Sequence, residues 1–420
     1  MLFALIFFSL LKKYNVMQKF LLTFLFTFTL AYNYAQIAQW RGANRDGIFN
    51  ETGLLKQWGD NGPKLLWHYD NLGPGHASAA VTDERIYTAG TTPEEIGFVI
   101  ALDFNGNMIW KTEFGKEWME NWNGVRSTPL VYNDKIYIMS SFGKLVCMTS
   151  DKGEILWTKD LFTEFGGLNI QWGVTENLLI DDNKLFVTVG GTEYNVVALN
   201  KDNGELIWKC KGNGEKSAYG SPAVINHNGR KILIAQTEFS VLGIDALKGD
   251  LLWTFDHRNQ WSVMANTPIY HNGMLYIVSG YGKGGVMLKV SDDGSSVTKV
   301  WSDTNLDSKM GAAVLVDGKI YGSGDKNNKW FCVDWNTGNL LYSDNFIKKG
   351  NICFADGLLY CYGEDGKVAL VEPTENSFNV ISKFTVPYGE EYHWAYLVIH
   401  NKKLYLRHGT SLMVYDISAN

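Results

Sequence analysis

The chain has 420 residues, 45% of them hydrophobic and 14% aromatic, and a net charge of −6. Charged residues at 20%, beside 15 Trp, 21 Tyr and 22 Phe, exclude a disordered chain. The slight acidity supplies no broad electrostatic reason to bind nucleic acid or anionic lipid, and five Cys are too few and too scattered for a disulfide scaffold.

Residues 1–11 are apolar, Lys12 and Lys13 interrupt them, and a second apolar run covers residues 20–30. Neither run reaches the roughly 18–20 residues needed to cross a bilayer. Read from Met17, Lys19 supplies a charged n-region, residues 20–30 the apolar h-region and Ala35 the small residue before cleavage. Residues 1–35 are therefore expected to be a signal peptide, with Met17 as the better start. An uncleaved anchor using both runs is the alternative. No Cys precedes Cys147, so a lipid-modified N-terminal cysteine is not expected. The mature protein is expected to be exported, to the periplasm or outside the cell, with no membrane span. Residues 36–63 read as an N-terminal arm.

From residue 64 onward one unit recurs. An apolar pair follows a turn at Arg85-Ile86-Tyr87, Lys135-Ile136-Tyr137, Lys184-Leu185-Phe186 and Lys231-Ile232-Leu233. The series continues at Met274-Leu275-Tyr276, Lys319-Ile320-Tyr321, Leu358-Leu359-Tyr360 and Lys403-Leu404-Tyr405. That makes eight copies, spaced by 39 to 50 residues. Small residues lead into each, as at Ser78, Ser127, Thr175 and Ser221. An alternating strand and a Gly turn then lead to Trp110, Trp157, Trp208, Trp253 and Trp301, and degenerately to Tyr342. Short strands joined by Asn-Gly, Lys-Gly or Asp-Gly turns read as antiparallel hairpins. Four strands per unit predict an all-β, eight-bladed β-propeller of four-stranded antiparallel blades over residues 64–420.

The last copy stops at Ser411–Asp416 before any Trp strand, and the missing strand stands at the other end as Lys64–Tyr69. Pairing the two is expected to close the ring and leave no exposed sheet edge. Cys147 and Cys332 fall in the small-residue column of Ala101, Ala198 and Gly243, and Cys353 in the column of Ser78 and its equivalents. They read as buried fillers.

The run of small residue, Asp, turn Gly and Trp resembles the repeat of pyrroloquinoline quinone (PQQ) enzymes and of their cofactor-free, BamB-like relatives. Trp40-Arg41-Gly42 followed by Arg45-Asp46-Gly47 is similar to the N-terminal arm of bacterial PQQ-like repeat proteins. The resemblance implies that most Trp side chains dock neighbouring blades together. Quinone-dependent dehydrogenases of this type carry an adjacent Cys pair, a calcium site of Glu, Asn and Asp, and an Asp base. No Cys-Cys occurs in this sequence, so neither PQQ nor calcium is expected.

No nucleophile elbow, phosphate-binding loop or His-Glu zinc pair is present, so no catalytic and no metal-binding residue is assigned. Gly280–Gly285 reads as a hairpin connection and Asp292-Asp293-Gly294 as a turn. The segments before the inner strands are richer. Trp122, Arg126, Trp172, Tyr219, Lys309, His393 and Trp394 all fall there. Because the units superpose, these residues are expected to gather at one end of the ring around its axis, as a site for a small ligand or a protein partner. Arg126 has Glu120 and Glu391 as candidate ion-pair partners. The function expected is that of a monomeric, exported, non-enzymatic binding scaffold. A PQQ-dependent alcohol or sugar oxidoreductase with an atypical pocket is the first alternative, and a carbohydrate-binding propeller the second.

Overall fold

A computed structural model describes residues 37–419; the signal-peptide and Met17 readings lie outside the described residues. Eight antiparallel four-stranded units follow one another and form an eight-bladed β-propeller. Blades 1–7 occupy residues 80–116, 130–160, 179–210, 223–256, 269–303, 313–344 and 350–385. Blade 8 takes three strands from 398–416 and its outermost from Lys64–Tyr69, which pairs antiparallel with Ser411–Asp416. Helix is confined, among the described residues, to Leu161–Phe165, N-capped by Asp160 and stopped by Gly166 at φ 66°.

Burial along each blade explains its composition. In blade 2 the central strands Lys135–Met139 and Lys144–Thr149 are buried almost throughout, because neighbouring blades cover both faces. The outermost strand Ile155–Asp160 alternates between exposed and half-buried residues.

Every outermost strand carries a one-residue bulge at the same place. Ala101 pairs with Trp110 but Leu102 with Met108, so Ile109 is unopposed. The same step skips Leu156, Ile207, Leu252, Val300, Leu341, Ile381 and, in blade 8, Leu66. A bulge bends the strand and increases its twist, which turns the next residue, the repeat Trp, toward the following blade.

There the indole meets the turn glycine. Trp208 donates Nε1–H to Ala246 O at 3.2 Å, and a Cβ on Gly249 would sit 2.7 Å from Trp208 Cε3. Trp67, Trp110, Trp157 and Trp301 repeat the bond to Phe104, Ser150, Lys201 and Trp335 carbonyls. Glycine is needed here twice over: Gly249 has φ +83°, and the ring lies against its bare Cα. Cys147 and Cys332 lie opposite Trp157 and Tyr342 in this column, and all five Cys are free and buried.

Blade 7 has Ser382 where blade 6 has Tyr342 and the others have Trp. Trp58 from the arm fills that junction. Its backbone N–H donates to Ser382 Oγ at 2.8 Å, Ser382 Oγ–H donates to Trp58 O at 3.1 Å, and its ring packs on Tyr360 and Phe384.

Around the axis, inner strands pass hydrogen bonds from blade to blade. Tyr396 N–H donates to Ser78 Oγ, Ser78 N–H to Thr128 Oγ1, Thr128 N–H to Asn177 Oδ1 and Asn177 N–H to Ser221 Oγ. Ala312 N–H donates to Asn266 Oδ1, and Asn351 Nδ2–H to the carbonyls of Trp394 and Ala395. The sequence column ran through Ser127, Thr175 and Cys353. The bonding column lies one or two residues away, through Thr128, Asn177 and Asn351, because strand entry shifts between blades.

The arm crosses this ring. Ile37–Ala38 pairs with the innermost strand of blade 2, and Ile48–Phe49 pairs in parallel with that of blade 7. Between them Arg45 donates to the carbonyls of Asn177 and Leu178 at 2.8 Å, while Arg41 donates to Ala313 O at 2.6 Å. Gly47 turns at φ +77°, and a Cβ there would stand 2.4 Å from Tyr396 Oη.

Candidate functional site

The loops from each outermost strand to the next inner strand emerge at one end of the propeller, and they enclose a cavity on the axis. Its space is about 870 Å³ counting the open mouth, and it is lined by Trp40, His76, Trp122, Arg126, Trp172, Thr175, Asn177, Tyr219, Val263, Ala265, Tyr281, Lys309, Met310, Trp394 and Tyr396. Six of the seven residues expected at the mouth are in that wall: Trp122, Arg126, Trp172, Tyr219, Lys309 and Trp394. His393 is not. It lies in a smaller side cavity with Trp394 and Glu364, stacked on His408 at 3.7 Å, with Nδ1 2.6 Å from Tyr362 Oη. Burial and the neighbouring His408 push His393 down to about 4.

Loop geometry sets the aromatic wall. Trp122 has φ 58°, a left-handed conformation rare outside glycine, and Gly124 beside it would clash through a Cβ 2.2 Å from Pro74 O. Trp122 meets Trp172 edge to face at 5.5 Å and 71°; Tyr219 and the half-exposed Trp261 continue the shelf from Trp172 at 5.9 and 6.5 Å. Trp172 N–H donates to Tyr219 Oη at 3.2 Å. Across the mouth Trp394 stacks on Tyr392 at 4.4 Å and donates Nε1–H to Glu364 Oε1. His408 pins this loop: its ring nitrogens lie 2.8 Å from Tyr388 O and 3.0 Å from Glu391 O.

The polar groups of the wall are cationic or neutral. Arg126 donates from Nη2 to Trp172 O and leaves a buried Nε without a partner. Burial lowers Arg126 to about 10, against Glu117 and Tyr219, which pull it up. The carboxylate facing Arg126 is Glu117, not Glu120 or Glu391. Glu117 directly follows the outer strand of blade 1, Met108–Lys116, and is 1% exposed and bonded to Ser141 Oγ. Burial lifts Glu117 to about 7. Lys309 lies 5.4 and 5.2 Å from the Tyr281 and Trp394 ring centroids, and burial lowers its pKa. His76 is 7% exposed, and neither ring nitrogen has a partner. Burial, then Arg407 and Arg126, hold it well below its usual range, so it is neutral at pH 7.

Sequence reasoning missed Trp40, His76, Tyr281 and Tyr396. Trp40 and Tyr396, whose rings are 5.7 Å apart, form the floor; only the arm's path across the axis brings Trp40 there. Tyr281 sits in the Gly-rich hairpin connection at φ 60°, held by Asp325 Oδ2, which accepts from its N–H at 3.2 Å. A lone Tyr between glycines was the one signal that could have marked it.

An eight-bladed ring with blade-docking Trp residues and a mouth built from its interblade loops is a PQQ-like repeat propeller. The family model described as outer membrane protein assembly factor BamB matches residues 95–344, and the chain belongs to that family. It is 26% identical over 155 residues to the outer membrane protein assembly factor BamB of Kangiella koreensis. That match covers 35% of this chain and 36% of the relative, so the chain spans about a third of the relative's length in it. Among solved structures it is similar to BamB from Moraxella catarrhalis, with a TM-score of 0.57, 14% identity and coverage of 82% of this chain and 95% of that one. It is similar in fold to the quinohemoprotein alcohol dehydrogenase of Comamonas testosteroni, with a TM-score of 0.65, 10% identity and coverage of 89% and 79%.

Proposed function

We propose that the protein is an exported, monomeric, non-enzymatic binding scaffold that holds a ligand, or a segment of a partner protein, in the axial cavity. The observation that carries this reading is the cavity itself. A floor of Trp40 and Tyr396 closes it below, aromatic rings wall it, and a few polar groups converge on it. Membership of a family described as an assembly factor for outer-membrane proteins favours a scaffold and a site beyond the cytoplasm. No helix among the described residues is long and apolar enough to cross a membrane.

The similarity to quinoprotein dehydrogenases raises PQQ and calcium as cofactors. The cavity wall offers Arg126, Lys309 and His76, the neutral oxygens of Thr175, Asn177 and three Tyr, and no carboxylate, a donor set that does not suit a calcium ion, whose sites are built around Asp and Glu carboxylates. Trp122 and Trp172 meet as a corner rather than a slot for a flat quinone.

The test is native mass spectrometry of the protein purified from its own host, beside Trp172→Ala purified in parallel. A ligand or partner retained by the wild type and lost from the variant supports the reading. Turnover of alcohols or sugars with an artificial electron acceptor overturns it.

A further inference from the structure

The chemistry of the cavity goes further than its existence. Resting on the binding role proposed above, we infer that the ligand is an acidic carbohydrate, a short saccharide bearing carboxylate or sulfate groups.

Three features of the wall select this class. First, Trp122, Trp172 and Trp394 offer aromatic faces in different planes: the first two stand at 71° to each other, and Trp394 is carried on a separate loop. Such a corner suits the C–H faces of successive chair-shaped rings, whereas one flat aromatic ligand needs parallel walls. Half-exposed Trp261 and Tyr392 extend both aromatic surfaces beyond the mouth, as a chain longer than one ring requires. Second, the side chains in the wall that carry charge at neutral pH are Arg126 and Lys309, in a protein of net charge −6. A site for a neutral sugar gains from carboxylates, which accept from hydroxyl donors. This wall has none among the described residues, and Glu117 and Glu364 stand behind it. Third, His76 and Arg126 carry unpartnered buried nitrogens beside the cavity. Buried polar groups are normally bonded, and a ligand with both hydroxyl and anionic oxygens supplies acceptors for the guanidinium and either role for the neutral imidazole.

The experiment uses the mature chain and isothermal titration with trisaccharides of galacturonate, mannuronate and 6-sulfated galactose. Neutral galactotriose, an acidic aromatic tripeptide and inorganic sulfate serve as comparisons. The inference expects at least one acidic trisaccharide to bind at least about tenfold more tightly than galactotriose. Lys309→Met should erase most of that preference, and Trp122→Ala should weaken both sugars. Circular dichroism and melting temperature establish that each variant is folded. Lys309→Met is the safer of the two, since its ammonium makes no bond that a blade depends on. Equal binding of the neutral sugar, binding of sulfate alone, or no binding by any acidic trisaccharide overturns the inference. Binding of the tripeptide, abolished by Trp122→Ala, overturns the carbohydrate class while leaving the scaffold reading intact. Failure of the scaffold reading shows separately, as an empty native preparation or as turnover.

Discussion

At the scale of single residues the Trp–Gly junction has two versions in one molecule. Trp208 bonds Ala246 O and lies on Gly249, whereas Trp253, one blade later, has a buried Nε1–H with no partner. Trp208→Phe should therefore leave a buried carbonyl unsatisfied and cost about 1–3 kcal/mol. Trp253→Phe, which removes an orphaned donor, should cost about 1 kcal/mol less than that, as read from denaturant midpoints. Gly249→Ala should be worse than either, since it adds a clash with Trp208 to an unfavourable φ. Glu176 provides a pH signature at the same scale. It is buried, accepts from Thr188 N–H and faces Arg45, and burial raises it to about 7 from an ordinary 4.5. The native state then binds more protons than the unfolded state between those values, so this group's contribution falls as pH rises from 4.5 to 7. Glu176→Gln lacks that loss. Its stability relative to wild type should climb across the same window, by up to about 3 kcal/mol, in melts run at pH 4.5, 5.5 and 7.

Among elements, the arm matters most because it is a strut. Two short pairings, on blades 2 and 7, anchor it, and buried Arg45 and Arg41 bond carbonyls at the entries to blades 3 and 6. Burying a guanidinium is costly unless it is bonded, and Arg45 is bonded through both Nη1 and Nη2; burial lowers it to about 9, well within the range where it stays charged at pH 7. Arg45→Ala should strand the carbonyls of Asn177 and Leu178 and the amide oxygen of Gln39. The expected cost is about 2–4 kcal/mol. Hydrogen exchange should show the loss concentrated in residues 37–49 and in the inner strands of blades 2 and 7. Uniform loss over all blades would argue against a strut. The arm also does for blade 7 what that blade's own sequence does not, by placing Trp58 against Ser382.

For the whole molecule the decisive element is Ser411–Asp416, which pairs with Lys403–His408 on one side and Lys64–Tyr69 on the other. Ending the chain after Thr410 should free two sheet edges at once. Such edges template association, so the truncated protein should sediment as aggregates, faster than the full-length protein. Supplying residues 411–420 as a peptide should partly restore the soluble species.

The repeat was legible from the sequence because each blade must rebuild the same contacts: apolar central strands, a turn glycine, and an aromatic residue sent to the neighbour by a bulge. Periodicity alone located the loop residues Trp122, Arg126, Trp172, Tyr219, Lys309 and Trp394, since superposed units place equivalent loops at one end. Local pattern could not say where a segment outside the repeat would run, and this is why Trp40 on the floor and Trp58 in the seventh junction were missed; His76 lies in a loop of the repeat itself, but a lone His gives no sign in sequence that both its nitrogens will be buried without partners. Local pattern also placed His393 in the wall, whereas stacking on His408 draws that ring behind Trp394. Short-range sequence determines what each blade is made of, because those choices are governed by strand burial and turn geometry. Which side chains share the axial cavity, and with what charge, was decided only when the ring closed and the arm was threaded through it.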